Sequence, residues 1–304
     1  MSRDATDSVA EKPDDEHPGD GHASAEHPAA LQAPDAHPHT LPLLRQSLVG
    51  SWRSLLAWSL GLAATILLYM PLFPSLGGAN SQLSALLASL PPQLIKTLGY
   101  TDIASGSGYA ESTFFGLVGF LLMSAAATTW GSAAIAGDEE SGALELILAH
   151  GVSRHQLVLE RSLAVTVRLV VLAAVSGALL AAVNPSSQLG LAGTDIVAAC
   201  AAFLGLGLVS GSAALMVGAL TGRRLFSTAA GAGVAAVSYV VNAIGSQSAA
   251  LDALRSFTPY GWAYRHTPLA TGADLPGLAL LFGLSALFTV VAVAALRRRD
   301  ISGA

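Results

Sequence analysis

Two lysines, Lys12 and Lys96, and one cysteine, Cys200, are all that 304 residues contain of either type. Neither lysine follows the glycines of a G-x-x-x-x-G-K-[ST] loop. The chain therefore has no Walker-type lysine and is not expected to hydrolyse ATP by itself. A lone cysteine excludes an intrachain disulfide and any CxxC metal site. Inside an apolar run, Cys200 reads as a small hydrophobe. H-E-x-x-H is absent, so a zinc protease has no support. An intramembrane serine protease needs a nucleophile and a base at membrane depth. Ser210 sits in GLVSGS, but no histidine falls in any long apolar stretch; His150, His155 and His266 all flank them. Charge is also scarce, at 12% against about 25% in soluble chains, while 52% of residues are hydrophobic. An ordinary soluble domain is excluded.

The charge that exists is unevenly placed. Residues 1–40 hold nine acidic and two basic side chains, whereas residues 41–304 hold eleven acidic and thirteen basic. The overall −5 thus describes an acidic leader, and the body is slightly basic. That leader is Pro/His-rich and lacks an early apolar region, so it does not read as a signal peptide. It has too little apolar surface to fold alone and is expected to be disordered. Its histidines (His17, His22, His27, His37, His39) are either solvated or loose metal ligands.

A helix needs about 20 mainly apolar residues to cross the hydrocarbon core. Six stretches qualify: Leu55–Phe73, Phe114–Ala136, Leu163–Val183, Ile196–Leu220, Leu225–Ile244 and Leu278–Leu296. The expected fold is all-α, an integral membrane protein with six transmembrane helices. Arg45, Arg53, Arg154, Arg161, Arg168, Arg223, Arg224, Arg297, Arg298 and Arg299 flank one side, against Lys96, Arg255 and Arg265 on the other. By the positive-inside rule both termini are cytoplasmic. Arg168, inside the third stretch, is expected to snorkel to the headgroups. Glu111 and Asp195 also lie near span ends, so no midplane charge offers a handle for ion coupling.

Outside the spans, Leu41–Arg53 suits either an interfacial helix or a basic topology flank. Leu83, Leu86, Leu87 and Leu90 predict a short external amphipathic helix stopped by Pro91-Pro92, and Leu94, Ile95 and Leu98 a second short turn. Tyr260, Trp262 and Tyr264 suit an interfacial aromatic belt.

The densest charge in the body is Gly137–Leu163, between the second and third spans. Asp138 suits an N-cap, and Glu139 and Glu140 favour a helix's positive end. Leu144, Ile147 and Leu148 then share one face, and Gly151 fits a stop. Ser153 and Gln156 match a capping box for a second helix. The apolar face either docks in a partner's groove or packs on the chain itself.

This segment resembles the coupling loop of type-2 ABC exporter permeases, the membrane subunits of bacterial drug and antibiotic efflux systems. Glu139, Gly142, Leu144, Glu145, Leu148, Val152, Ser153 and Arg154 match that loop, and Gly151 replaces a common proline. The ending Arg297–Asp300 and the entry LLRQSLVGSWRSLLAWSLG are similar too. The resemblance implies a cytoplasmic coupling helix that sits in a cleft of a separate ATP-binding subunit. It implies two such subunits carrying ATP and Mg, and a second permease copy or related permease. Leu144, Ile147 and Leu148 would be docking contacts, with Glu139, Glu140, Glu145 and Arg154 as polar anchors, and Asp138, Gly142 and Ser153 belong to the same coupling segment. The setting would be the bacterial cytoplasmic membrane, with no cofactor, metal or nucleic acid bound by this chain. A non-transporting scaffold or maturation factor is the alternative.

Two polar stripes remain. Ser124, Thr128 and Ser132 share a face of the second span, and Ser238 and Asn242 one of the fifth. They either line a substrate pathway or bond their own helices. Gly207, Gly211, Ala214, Gly218 and Gly222 form small-xxx-small steps in the fourth span, for packing within the subunit or across a dimer.

Overall fold

The computed structural model describes residues 42–76, 91, 103–149 and 152–299. The acidic leader, the amphipathic stretch from Leu83 to Leu90, the turn at Leu94–Leu98, Gly151 and Asp300 lie outside the described residues.

Helix α1 (Pro42–Gly50) leads into α2 (Trp52–Tyr69), which tightens into a 3₁₀ turn at Met70–Leu72 where Pro71 removes a backbone donor. Helix α3 runs unbroken from Gly106 to Glu140, with π-helical stretches at Glu111–Val118 and Ala133–Gly137. Short α4 (Ala143–Ala149) precedes α5 (Arg154–Val183), α6 (Gly193–Thr221) and α7 (Arg224–Gly245). A 3₁₀ turn at Asp252–Phe257 and two short helices, α8 (Pro259–Tyr264) and α9 (Pro268–Thr271), lead to α10 (Leu275–Arg298). The described residues are nearly all helical and include no strand. Six helices are long and apolar enough to cross a membrane, and each contains one of the six apolar stretches.

The second span differs most from its hydropathy bounds. Its helix begins eight residues before Phe114 and ends four after Ala136. Ser105 starts it, its Oγ accepting Gly108 N at 3.0 Å. Asp138 is therefore no N-cap but part of the last turn, and the helix stops at Gly142. That glycine has φ +74, a left-handed conformation that closes helices cheaply only without a Cβ.

Helix α6 is the centre of the bundle and packs against α3, α5, α7 and α10. Its small residues explain how. A Cβ on Gly131 of α3 would stand 2.3 Å from the Gly211 carbonyl oxygen, so these backbones touch directly. Gly207 faces Met123, Gly218 faces Ala136 and Ser227, and the Ala214 carbonyl accepts Ser227 Oγ at 2.6 Å. The described steps thus pack within the subunit. Gly222 is instead the left-handed stop of α6, with φ +67 and its N–H on Gly218 O at 2.8 Å.

Gly131→Val should lower the melting temperature in detergent by the equivalent of about 1–3 kcal/mol, the usual cost of overpacking. Gly61→Ala, with nothing within 4 Å of the added carbon, should leave it unchanged. Equal melting of both variants would contradict the close approach of α3 and α6.

Candidate functional site

Five helix ends meet where the arginines gather, and the acids of Gly137–Glu140 hold them together. Asp138 pairs with Arg161 of α5. Glu139 takes the Arg299 guanidinium in a fork, one arm of which is Oε2–Nη1 at 3.0 Å. Glu140 Oε1 accepts the backbone N–H of Arg224 at 2.8 Å, placing a negative charge on the positive end of α7. From the other side, Arg154 Nη1 donates to Leu296 O at 3.1 Å and to Arg299 O at the end of α10. Glu139, Glu140 and Arg154, expected as anchors for a partner, are engaged within their own chain, as is Asp138.

Helix α4 hangs from this staple. Leu144 is 0% exposed and Ile147 packs against the core, whereas Leu146 is 65% exposed and Glu145 and Ala149 also face outward. Leu144 is therefore not a surface contact. The i, i+3 face read from the sequence exists, but it is turned onto the chain itself. The side chain of Leu148 lies outside the described residues.

The capping box does not form. Ser153 occupies the N-cap position of α5 with extended backbone but makes no cap bond; its Oγ lies 3.3 Å from His155 Nε2. Gln156 reaches forward instead, donating to Glu160 Oε1 at 2.7 Å. Glu160 is 1% exposed, and its other oxygen accepts Leu44 N at 2.9 Å. A buried carboxylate claims donors more strongly than a solvent-facing helix end does. Arg168 does not snorkel either. It is 6% exposed, donates to Ser47 O at 2.7 Å and to Ser47 Oγ, and stands 5.6 Å from the Trp130 ring centroid. Both contacts hold α1 against α5, so the entry segment is a docked helix rather than only a basic flank.

The polar stripes divide. Ser132 Oγ bonds Thr129 O in its own helix at 3.1 Å. Ser238 Oγ accepts Tyr260 N at 2.7 Å, and Asn242 Oδ1 accepts Arg255 Nε at 3.2 Å, so both fasten the segment at the opposite end of the bundle. The hydroxyls of Ser124 and Thr128 are buried with no partner among the described residues. Thr128 faces α7, where a Cβ on Gly231 would stand 2.7 Å from its Oγ1.

At that opposite end, α8 inserts Tyr260 between α3 and α7. Its Oη donates to Gly116 O in the first π stretch at 2.7 Å, and its ring stacks edge-on to Phe120 and Tyr239. Tyr260 and Tyr264 are buried, not an interfacial belt, and burial pushes both phenols well above the usual tyrosine range. Buried Glu111 accepts Leu269 N at 3.2 Å. Sequence reading missed this plug; the run Thr258-Pro259, with Thr258 Oγ1 capping Gly261 N at 3.0 Å, was its one local signal.

With six long apolar helices and a polar staple at one end in view, comparison with known proteins is decisive for the class. Residues 42–300 match the family described as ABC-2 family transporter protein. The chain belongs to the ABC-2 family. No curated protein matches it. Membership makes this chain the multi-pass membrane subunit of an ABC transporter, a subunit that is not itself the ATPase. The family implies an ATP-binding subunit as its partner.

In this ABC-2 chain the Glu139–Arg299 fork should register in a double-mutant cycle. Glu139→Gln and Arg299→Gln, scored by thermal unfolding, should show a coupling of about 0.5–3 kcal/mol. Additive single effects would mean that the fork does not hold α3 to α10.

Proposed function

We propose that this chain is the permease of an ATP-driven exporter for a hydrophobic or amphipathic compound, of the drug or antibiotic kind. Two ATP-binding subunits, carrying ATP and Mg, work with two permeases, either copies of this chain or this one with a relative. The arginine-rich end faces the cytoplasm of a bacterium, with both termini on that side.

The observation that carries the reading is the mounting of α4. One side of this short helix is locked into the core by Leu144 and Ile147, and the other presents Glu145, Leu146 and Ala149. A helix fixed behind and exposed in front transmits a push from a docked partner without being peeled away. Its ends join α3 through Gly142 and approach α5 at Ser153. Leu144, Ile147, Glu139, Glu140 and Arg154 thus support the coupling helix from behind, and Leu146 with Glu145 contacts the ATPase.

The tagged permease should recover an ATP-binding cassette protein from native membranes in mild detergent. Leu146→Asp should lose that protein while keeping its own melting temperature. Leu144→Asp should lose both, because it buries a carboxylate without a donor. Retention of the ATPase by Leu146→Asp would move the docking surface elsewhere. Failure to recover any ATPase, even after crosslinking, would favour the scaffold reading.

The Ser124–Thr128 stripe supports a pathway between α3 and α7. Hydroxyls that find no partner among the described residues lose nothing when α7 withdraws and a substrate or water reaches them. Thr128→Val should therefore preserve or raise stability, by up to about 1 kcal/mol, yet change efflux of the transported compound. Unchanged efflux in a stable Thr128→Val protein would remove Thr128 from the pathway.

A further inference from the structure

A groove of about 520 Å³ opens at the arginine-rich end, between the last turns of α6 and α10. Leu220, Val291, Ala294 and Ala295 line it, and Arg298 and Arg299 close it on the side of the bundle's end. The two arginines are in different electrostatic states. Arg299 is matched by Glu139 and also reaches Ala219 O at 3.4 Å. Arg298 is exposed and has no acidic partner among the described residues. Two more cations start from the same corner. A Cβ on Gly222 would stand 2.2 Å from Arg299 Nη2, and exposed Arg223 and Arg224 follow Gly222 directly.

We propose that this groove binds one anionic phospholipid, with an acyl chain along Leu220, Val291, Ala294 and Ala295 and the phosphate on Arg298. The wall and the rim select the ligand together. A free phosphate or a nucleotide would satisfy Arg298 but leave an apolar wall bare. A zwitterionic lipid would cover the wall but bring no net charge to the corner. Basic pockets between spans at a membrane surface suit anionic head groups, and a guanidinium matches phosphate in two parallel bonds. The site also adjoins the staple. A head group that draws on Arg299 competes with Glu139, so lipid composition sets how firmly α3 holds α10 beside the coupling helix.

This inference rests on the proposed placement of the arginine-rich end at the membrane surface, and not on ATPase docking. Loss of the ATPase from Leu146→Asp with lipid binding intact would separate the two. The test is native mass spectrometry of the full-length permease, titrated with phosphatidylglycerol or phosphatidylcholine. Arg298→Gln removes the charge, and Ala294→Phe fills the groove without touching charge. Each variant is first checked for monodisperse elution and parental melting, and Arg298→Met, which also removes the charge, replaces Arg298→Gln if the latter does not fold. The expected result is one phosphatidylglycerol held in preference to phosphatidylcholine. Arg298→Gln should weaken it about fivefold, the effect of one arginine at a membrane surface, and Ala294→Phe at least as much. Equal retention of the two lipids would overturn the proposal. So would parental binding by Ala294→Phe, or displacement of the lipid by inorganic phosphate.

Discussion

Inside a bilayer a polar group has only the protein to bond to, and this constraint organises the bundle. Glu160, Arg168 and Glu111, buried and ionisable, each meet it through a second segment that brings donors or acceptors. Glu160 takes the N–H of Leu44 and the Gln156 amide, and Arg168 takes both oxygens of Ser47, so two charges in α5 fix α1. Glu111 takes Leu269 N and thereby fixes α9. The short segments outside the long helices are thus not loose decoration. Helices α1 and α9 are each positioned by a polar group that would otherwise lack these partners.

The long helices meet by a different rule, because apolar side chains gain little from leaving lipid for one another. Close backbone approach supplies the attraction. The Gly131–Gly211 contact places α3 on α6 at a distance that no side chain permits. Gly207 and Gly218 extend the same groove along α6, so the central helix is smooth where its neighbours are bulky.

Much of this was legible in the sequence, and what was missed has a common cause. Span number and position follow from bilayer thickness, which a hydropathy window measures directly. The second span was drawn too short because hydropathy sees the hydrocarbon, whereas α3 continues through polar residues to Ser105 on one side and Glu140 on the other. Leu144 and Ile147 do share a face, but which surface covers that face is set by tertiary packing. Glu139 was visible as an acid, and nothing local points to Arg299, 160 residues away. Tyr260 suited an interfacial belt by composition, but Ser238 and Gly116 supply its bonds from other helices. Local grammar identified the residue types that matter; their partners are long-range.

Helix α3 joins these features into one lever. Its 35 residues form a rod about 50 Å long, well beyond the hydrocarbon thickness of about 30 Å. Helix α4 hangs from one end, and Tyr260 grips it near the other through Gly116, inside the first π stretch. A straight α-helical rod would transmit a push whole. π turns are wider and less regular, and they are the places where a helix can take up a change in register. The staple beneath is built from ion pairs rather than packed side chains. Such pairs near water can part and re-form at modest cost, where a packed core would resist. In the proposed coupling, a push on α4 meets the ion-pair joint at Glu139–Arg299 and the π stretch at Gly116. Between these two points lie Ser124 and Thr128, buried hydroxyls without a partner among the described residues, which the proposed withdrawal of α7 would open to one.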